Sequence, residues 1–259
     1  MTDYCGNKAD HKEKTAAIVL AGGRGKRMNS QIPKQYLPLG GKPVLYYSLK
    51  AFQDSFVDEI ILVAEAGEEE NCRRQILEPY GFTKVKAVAP GGAERFHSVA
   101  NGIREVSADC SYIFIHDGAR PFVDQRILED ALEQVRIHHA CVAAMPVKDT
   151  IKIADENNFS LSTPRRDRVW LMQTPQVFEA SLIRRAYEKL PEELPHLQQE
   201  GIQITDDAMV VETLLHQPVR FFQASYENIK ITTPEDLLIA DTILRKRERM
   251  RPQAARNNE

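Results

Sequence analysis

The residues that stand out chemically follow the first apolar run of the chain. Ile18-Val19-Leu20 leads directly into Ala21-Gly22-Gly23-Arg24-Gly25-Lys26-Arg27-Met28, a strand followed by a glycine-rich loop carrying three cations. Glycines let the backbone bend sharply and bring N–H groups onto an anion with no Cβ in the way. Phosphate suits such a loop, and Arg24, Lys26 and Arg27 would add charge-assisted bonds to it. The spacing fits neither G-x-G-x-x-G nor G-x-x-x-x-G-K-[ST], because Gly23 and Gly25 are followed by Met28 and Lys26 by Arg27. A surface turn with solvated basic side chains is the plainer alternative. Lys34 follows one short loop later, after a proline of fixed φ, in Pro33-Lys34-Gln35-Tyr36-Leu37.

These side chains need a scaffold, and the apolar pattern supplies one. Short β-branched runs predict strands over 16–21, 59–64, 85–89, 112–116 and 141–146. Amphipathic stretches over 43–53, 68–80, 94–106 and 125–138 alternate with them as helices. The alternation reads as βαβ units. Runs such as Ile60-Ile61-Leu62-Val63 have no polar side, as expected of parallel strands covered on both faces. Beyond Pro146 the rhythm changes: 150–154, a turn at Asp155-Glu156-Asn157-Asn158 and an extended segment from Phe159 read as a hairpin projecting from the sheet. A helix over 180–190, a proline-rich link through Pro195, a helix over 206–215, a strand over 219–224 and a helix from Pro234 complete the expectation. The charged segment after Arg245 reads as a fraying tail.

Composition narrows the class. In 259 residues, apolar types make up 42% and charged types 27%, which excludes disordered, collagen-like and membrane chains. With 34 Lys and Arg against 37 Asp and Glu, there is no global basic field to recommend nucleic acid or an anionic membrane. Cys5, Cys72, Cys110 and Cys141 form no C-x-x-C pair, which argues against a zinc site and a disulfide framework. The polar first fifteen residues and the short apolar run after them carry no export signal, so a cytoplasmic protein is expected.

The run L-A-G-G-R-G-K-R-M with P-K-Q-Y-L-P-L-G-G-K-P-V-L resembles the nucleotidyltransferases that join a nucleoside triphosphate to a sugar or polyol phosphate. Narrower segments are similar to one family, the 2-C-methyl-D-erythritol 4-phosphate cytidylyltransferases. They are G-G-A-E-R-F-H-S-V-A-N-G at 91–102, H-D-G-A-R-P at 116–121, Q-T-P-Q-V-F at 173–178, T-D-D-A at 205–208 and N-I-K-I-T-T-P-E-D-L at 228–237. The resemblance implies a Rossmann-like α/β fold, mostly parallel and flanked by helices, with a β-arm that builds a homodimer. It implies transfer of CMP from CTP to methylerythritol phosphate with release of pyrophosphate. The expected domain spans 15–245 with the arm near 148–176, between a disordered extension over 1–14 and a charged tail over 246–259.

The same resemblance distributes roles. Arg27 and Lys34 correspond to the two cations that stabilise the transition state, and Arg166 and Lys230 to the pair that positions methylerythritol phosphate. Ala21, Gly22, Gly23, Arg24, Gly25 and Lys26, together with Gly92, Ala93, Arg95 and Ser98, are the expected CTP contacts. Thr174 and Thr205 are the accompanying hydroxyls. A carboxylate facing a triphosphate needs a cation between them, and Mg²⁺ takes one or two carboxylates with substrate phosphates, so Asp117 is the expected metal ligand. Plainer alternatives stay open: a cap for Asp117 and for Thr205 or Asp206, a simple turn for Gly91-Gly92, and a structural role for Arg120. The histidines and Cys141 read as structural. Because the attacking phosphate is already anionic, no general base is required; the difficulty is bringing anion to anion. The rival in the same chemistry is a ribitol-5-phosphate cytidylyltransferase. A non-catalytic binding protein would have lost Arg27, Lys34 or Asp117, and a dehydrogenase is disfavoured by the missing third glycine.

Overall fold

The computed structural model describes residues 13–23, 28 and 33–250. Along the chain these form β1 (Thr15–Leu20), a one-turn 3-10 helix at Lys34–Tyr36, and a small hairpin of β2 (Pro38–Leu39) and β3 (Lys42–Pro43). Then come α1 (Val44–Gln53), β4 (Glu59–Ala64), α2 (Glu69–Cys72), a π-helical turn (Arg73–Leu77) and α3 (Glu78–Tyr80). After these follow β5 (Val85–Pro90), α4 (Arg95–Glu105), β6 (Tyr112–Asp117), α5 (Gln125–His138) and β7 (Ala140–Pro146). The last part holds β8 (Ile153–Ala154), β9 (Ser160–Ser162), β10 (Trp170–Glu179), α6 (Ala180–Gln199), α7 (Asp207–Leu215), β11 (Arg220–Gln223) and α8 (Pro234–Met250).

Seven strands make one sheet in the order β11-β7-β10-β6-β1-β4-β5. All neighbouring pairs are parallel except those of β10, which runs antiparallel to both β6 and β7. The period of two in β1 explains the layers: Ala17 and Val19 pack with α1, α2 and α5 on one face, Ala16 and Ile18 with α4, α6 and α7 on the other. Both faces are therefore dry, which is why the strands read as unbroken apolar runs. A third cluster lies to one side, where Met28, Leu39, Val44 and Phe122 meet Ile231, Ala240 and Leu244 of the closing segment.

Four differences from the sequence expectation have physical causes. Residues 170–179 belong to the interior of the sheet rather than to the arm, so the projecting hairpin is only β8, its turn and β9. Helix α6 continues through Pro191 and Pro195 instead of ending at Leu190. Both prolines face solvent, so the hydrogen bonds they forgo fall on the wet side, while Leu190, Leu194 and Leu197 hold the dry side to the core. Helix α8 runs through Met250, past the expected start of the tail, because Lys246 and Arg247 are held by Glu227 at 2.6 and 3.2 Å. At the other end Glu13 and Lys14 are also in place, bound to Arg136 and Asp109. The remainder of the expected extension and tail lies outside the described residues.

Close packing sets at least one side chain to nothing. A Cβ on Gly102 of α4 would lie 2.6 Å from Ile18 Cγ2 and 3.1 Å from Val63 Cγ2. Gly102→Ala gains about 1 kcal/mol of helix propensity but incurs overpacking of about 1–3 kcal/mol. The branched methyl at 2.6 Å belongs to a fully buried residue, so the clash wins. Urea unfolding of Gly102→Ala is expected to show a net loss of about 1 kcal/mol with an unchanged m-value.

Candidate active site

Open α/β sheets bind ligands outside the carboxyl ends of their strands, where neighbouring connections diverge to opposite sides. Here that point lies beside β1: the chain moves from β1 to β4 and β5 on one side and to β6 on the other. Four connections meet there. Ala21-Gly22-Gly23 follows β1, Glu65-Ala66 follows β4, Gly91-Gly92-Ala93 follows β5, and Asp117 ends β6. Backbone bonds tie them together, Ala21 N–H to the Val63 carbonyl and Gly91 N–H to the Ala64 carbonyl, each at 2.7 Å. Between them opens a cleft of about 690 Å³ that also receives Lys34, Gln35, Glu94, Arg95, Ser98, Ala119 and Lys230.

Two glycines are dictated by this closeness. A Cβ on Gly91 would stand 2.9 Å from the Ala64 carbonyl oxygen, and one on Gly92 2.3 Å from His97 Cβ. Ser98 Oγ then accepts the Gly92 N–H at 2.9 Å, fixing the loop that the sequence also allowed as a plain turn. The 3-10 turn carrying Lys34 is anchored by Gln35, 2% exposed, whose amide donates to the Ala21 carbonyl. That bond joins the lysine to the glycine loop and was not foreseen, since a glutamine in a polar stretch carries no signal of its own.

Asp117 is the electrostatic centre. Its side chain is 11% exposed, with Lys230 Nζ at 2.7 Å, Arg95 Nε at 3.7 Å and Arg120 Nε at 3.8 Å. Burial pushes its carboxyl up, but Lys230, Arg95 and Arg120 together hold it well below the usual carboxylate range. Arg120 is inside the protein, donating to the Asn228 carbonyl at 2.8 Å, and is absent from the cleft lining. Arg95, at the start of α4, lines the cleft with its fork engaged: its two terminal nitrogens donate to Asp207 at 2.8 and 2.7 Å. Asp207 lies 112 positions away, so no local pattern announces the pair.

The other expected site residues fall in three groups. Ala21, Gly22, Gly23, Lys34, Gly92, Ala93, Arg95, Ser98, Asp117 and Lys230 all line the cleft. Arg24, Gly25, Lys26 and Arg27 lie outside the described residues. Thr174, Thr205 and Arg166 are elsewhere. Thr174 is 4% exposed and behind Asp117, whose N–H it accepts at 3.1 Å. Thr205 is exposed ahead of α7, and Asp206 is the cap, accepting the Met209 N–H at 2.9 Å. Arg166 is exposed at the base of the hairpin, donating to the Lys148 carbonyl at 3.2 Å. Among the described residues no cluster of three His, Cys, Asp or Glu could by itself hold a metal, and no helix is long and apolar enough to cross a membrane.

A family model described as 2-C-methyl-D-erythritol 4-phosphate cytidylyltransferase matches residues 15–246. The chain belongs to that family. It is thus a nucleotidyltransferase. A relative of that name from Lachnospira eligens is 50% identical over 230 residues, 88% of this chain and 98% of the relative. Another from Lachnoclostridium phytofermentans is 46% identical over 236 residues, 91% and 98% of the two chains. Among solved structures, the 4-diphosphocytidyl-2C-methyl-D-erythritol synthase of Anaerococcus prevotii superposes with a TM-score of 0.76 at 32% identity, covering 90% of this chain and 96% of its own. The enzyme of Thermus thermophilus gives 0.68 at 28%, covering 88% and 98%. These relatives favour the methylerythritol phosphate reading over its ribitol phosphate rival.

His116 gives the site a measurable pH signature. The Arg120 carbonyl can only accept, so the neutral His116 ring carries its proton on Nε2, which donates to it at 3.2 Å, and Nδ1 accepts from Thr174 Oγ1 at 3.0 Å, the hydroxyl that itself accepts the Asp117 N–H. The neutral ring is satisfied at both nitrogens. Burial pushes its pKa down from 6.5 to about 4. Across that window the unfolded chain binds a proton that the folded chain refuses, so stability falls as pH drops from 6.5 toward 4, by about 3 kcal/mol at the lower end. Asp117 acts lower, its contribution being lost only as pH falls below 3.8. Chemical denaturation between about pH 7 and pH 4.5 is expected to show a shallower acid slope in His116→Gln than in the parent. Equal slopes would remove His116 as the source.

Proposed function

We propose that the cleft at the ends of β1, β4, β5 and β6 binds CTP and passes its cytidylyl group to 2-C-methyl-D-erythritol 4-phosphate, releasing pyrophosphate in isoprenoid precursor synthesis. The observation that carries this is the convergence of Lys34, Lys230 and Asp117 on one glycine-lined cleft in a chain of this family. An oxygen of the acceptor's phosphate monoester forms a bond to the α-phosphorus of CTP. The bond from that phosphorus to the oxygen bridging to the β-phosphate breaks, and its electron pair leaves with pyrophosphate. No proton need be removed, so the work is electrostatic and positional.

In this reading the N–H groups of Gly22, Gly23 and Ala93 receive the nucleotide, while those of Ala21, Gly91 and Gly92 hold the loops in place. Lys34 faces the charge that grows on the α-phosphoryl oxygens, a role that the family resemblance gives to Arg27 as well. Lys230 holds the acceptor phosphate from the opposite wall. Asp117 is the residue that would hold Mg²⁺. A single carboxylate suits an ion that takes its remaining oxygens from water and substrate phosphates, and the bound ion would offset phosphate charge. Thr174 acts from behind the site, and Arg120 holds the Lys230 segment through the Asn228 carbonyl.

Arg166 finds its place in a homodimer. The hairpin at whose base it lies is two-stranded, a form marginal by itself, and exposes Phe159 at 72%, Leu161 at 66% and Ile153 at 51%. A second copy packed on this face would cover those side chains and carry Arg166 toward the partner's cleft. A cytoplasmic location suits the described cysteines, all three of which are buried and unpaired.

Pyrophosphate release with methylerythritol phosphate is expected to be fastest with CTP among CTP, UTP, ATP and GTP, and to drop when ribitol 5-phosphate replaces the acceptor. Faster release with ribitol 5-phosphate would overturn the assignment. Lys34→Met is expected to lower kcat by about 10²–10³-fold, equivalent to about 2.7–4 kcal/mol of lost oxyanion stabilisation, with the smaller change in KM. Near-normal turnover would take Lys34 out of the transition state.

A further inference from the structure

Arg95 is held in place more firmly than the walls of a binding cleft require. Asp207 is fully buried and takes both terminal nitrogens of the Arg95 guanidinium. Tyr187 donates its hydroxyl to Asp207 Oδ1 at 2.6 Å. Gln176 of β10 accepts the N–H groups of Asp207 and Ala208 at 3.0 and 2.9 Å and donates to Asp206 at 2.9 Å. Three elements, α6, β10 and α7, thus fix one carboxylate. A buried ion pair is a poor source of stability relative to apolar packing, so its use here points to geometry.

That geometry concerns Asp117. With its fork engaged, Arg95 leaves Nε 3.7 Å from Asp117 Oδ1, outside hydrogen-bond distance, while Lys230 occupies Oδ2 at 2.7 Å. A guanidinium released from Asp207 has only to rotate to make a charge-assisted bond to Oδ1. Both oxygens of Asp117 would then be capped by protein cations. We propose that Asp207 is a positioning residue that retains the Arg95 guanidinium and so keeps Oδ1 of Asp117 open to the divalent cation accompanying the triphosphate. The inference rests on Asp117 as the metal ligand of the proposed function.

The test is direct Mn²⁺ binding to the full chain with CTP present, read by electron paramagnetic resonance, independent of turnover. Asp207→Asn is expected to weaken Mn²⁺ about tenfold, the scale of losses on removing a partner from behind a metal ligand. With CTP saturating for each variant, the double variant Asp207→Asn/Arg95→Gln is expected to return to within about twofold of the parent, because no guanidinium remains to cap the carboxylate. Unchanged affinity in the single variant overturns the proposal, as does a double variant as weak as the single. Should Asp207→Asn not fold, Tyr187→Phe loosens the same carboxylate without uncovering a charge. It is expected to weaken Mn²⁺ in the same direction, by about threefold, and unchanged affinity there also overturns the proposal. Asp117→Asn separates the two readings: retained Mn²⁺ affinity defeats Asp117 as ligand, whereas its loss beside an unaffected Asp207→Asn defeats only the retention of Arg95.

Discussion

Asp117 is a carboxylate taken almost wholly out of water and kept charged by Lys230, Arg95 and Arg120. Such a group is tolerable only while its partners stay: removing one member of a buried pair costs about 3–5 kcal/mol because the other is left uncompensated. The surroundings therefore serve the partners. Asp207, Tyr187 and Gln176 fix Arg95; the Asn228 carbonyl fixes Arg120; and Ile231 N–H, bonded to the Ala119 carbonyl at 2.9 Å, keeps the segment bearing Lys230 beside β6. The charges that would meet a triphosphate are thus part of the same network that makes the carboxylate affordable.

The sheet makes this arrangement possible by being dry on both faces. Because residues alternate between two apolar layers along β1 and β4, the polar groups can emerge only where strands end, and the parallel order brings four such ends together. The antiparallel β10 is the exception with a purpose. It runs beside β6 in the sheet, placing Thr174 against His116 and Asp117, and Gln176 against the start of α7.

Much of this was legible in the sequence, for reasons that name its limits. β4 and α5 have the bounds that periodicity predicts, because a long uniform pattern dominates its own ends. The glycine loop and Asp117 were legible as candidates because strand ends and glycines have local signatures. β10 was not, since Gln173, Thr174, Pro175 and Gln176 interrupt its apolar pattern where the ladder shifts register between Met172 and Gln176. The second half of α6 was hidden by two prolines that a leucine stripe overrides. Arg95 with Asp207, and Gln35 with Ala21, are tertiary pairings of ordinary polar residues, and nothing within either segment marks them.

The side cluster of Met28, Leu39 and Val44 with Ile231, Ala240 and Leu244 joins the opening of the domain to α8. Leu244 Cδ2 comes so near Gly40 that a Cβ there would stand 2.4 Å away, so the helix is seated directly on the β2–β3 turn that follows Lys34. During synthesis Lys34 and the hairpin after it leave the ribosome early, yet the helix on which they sit comes near the end of the domain. A nascent chain therefore carries the β2–β3 hairpin without its seat until α8 is out.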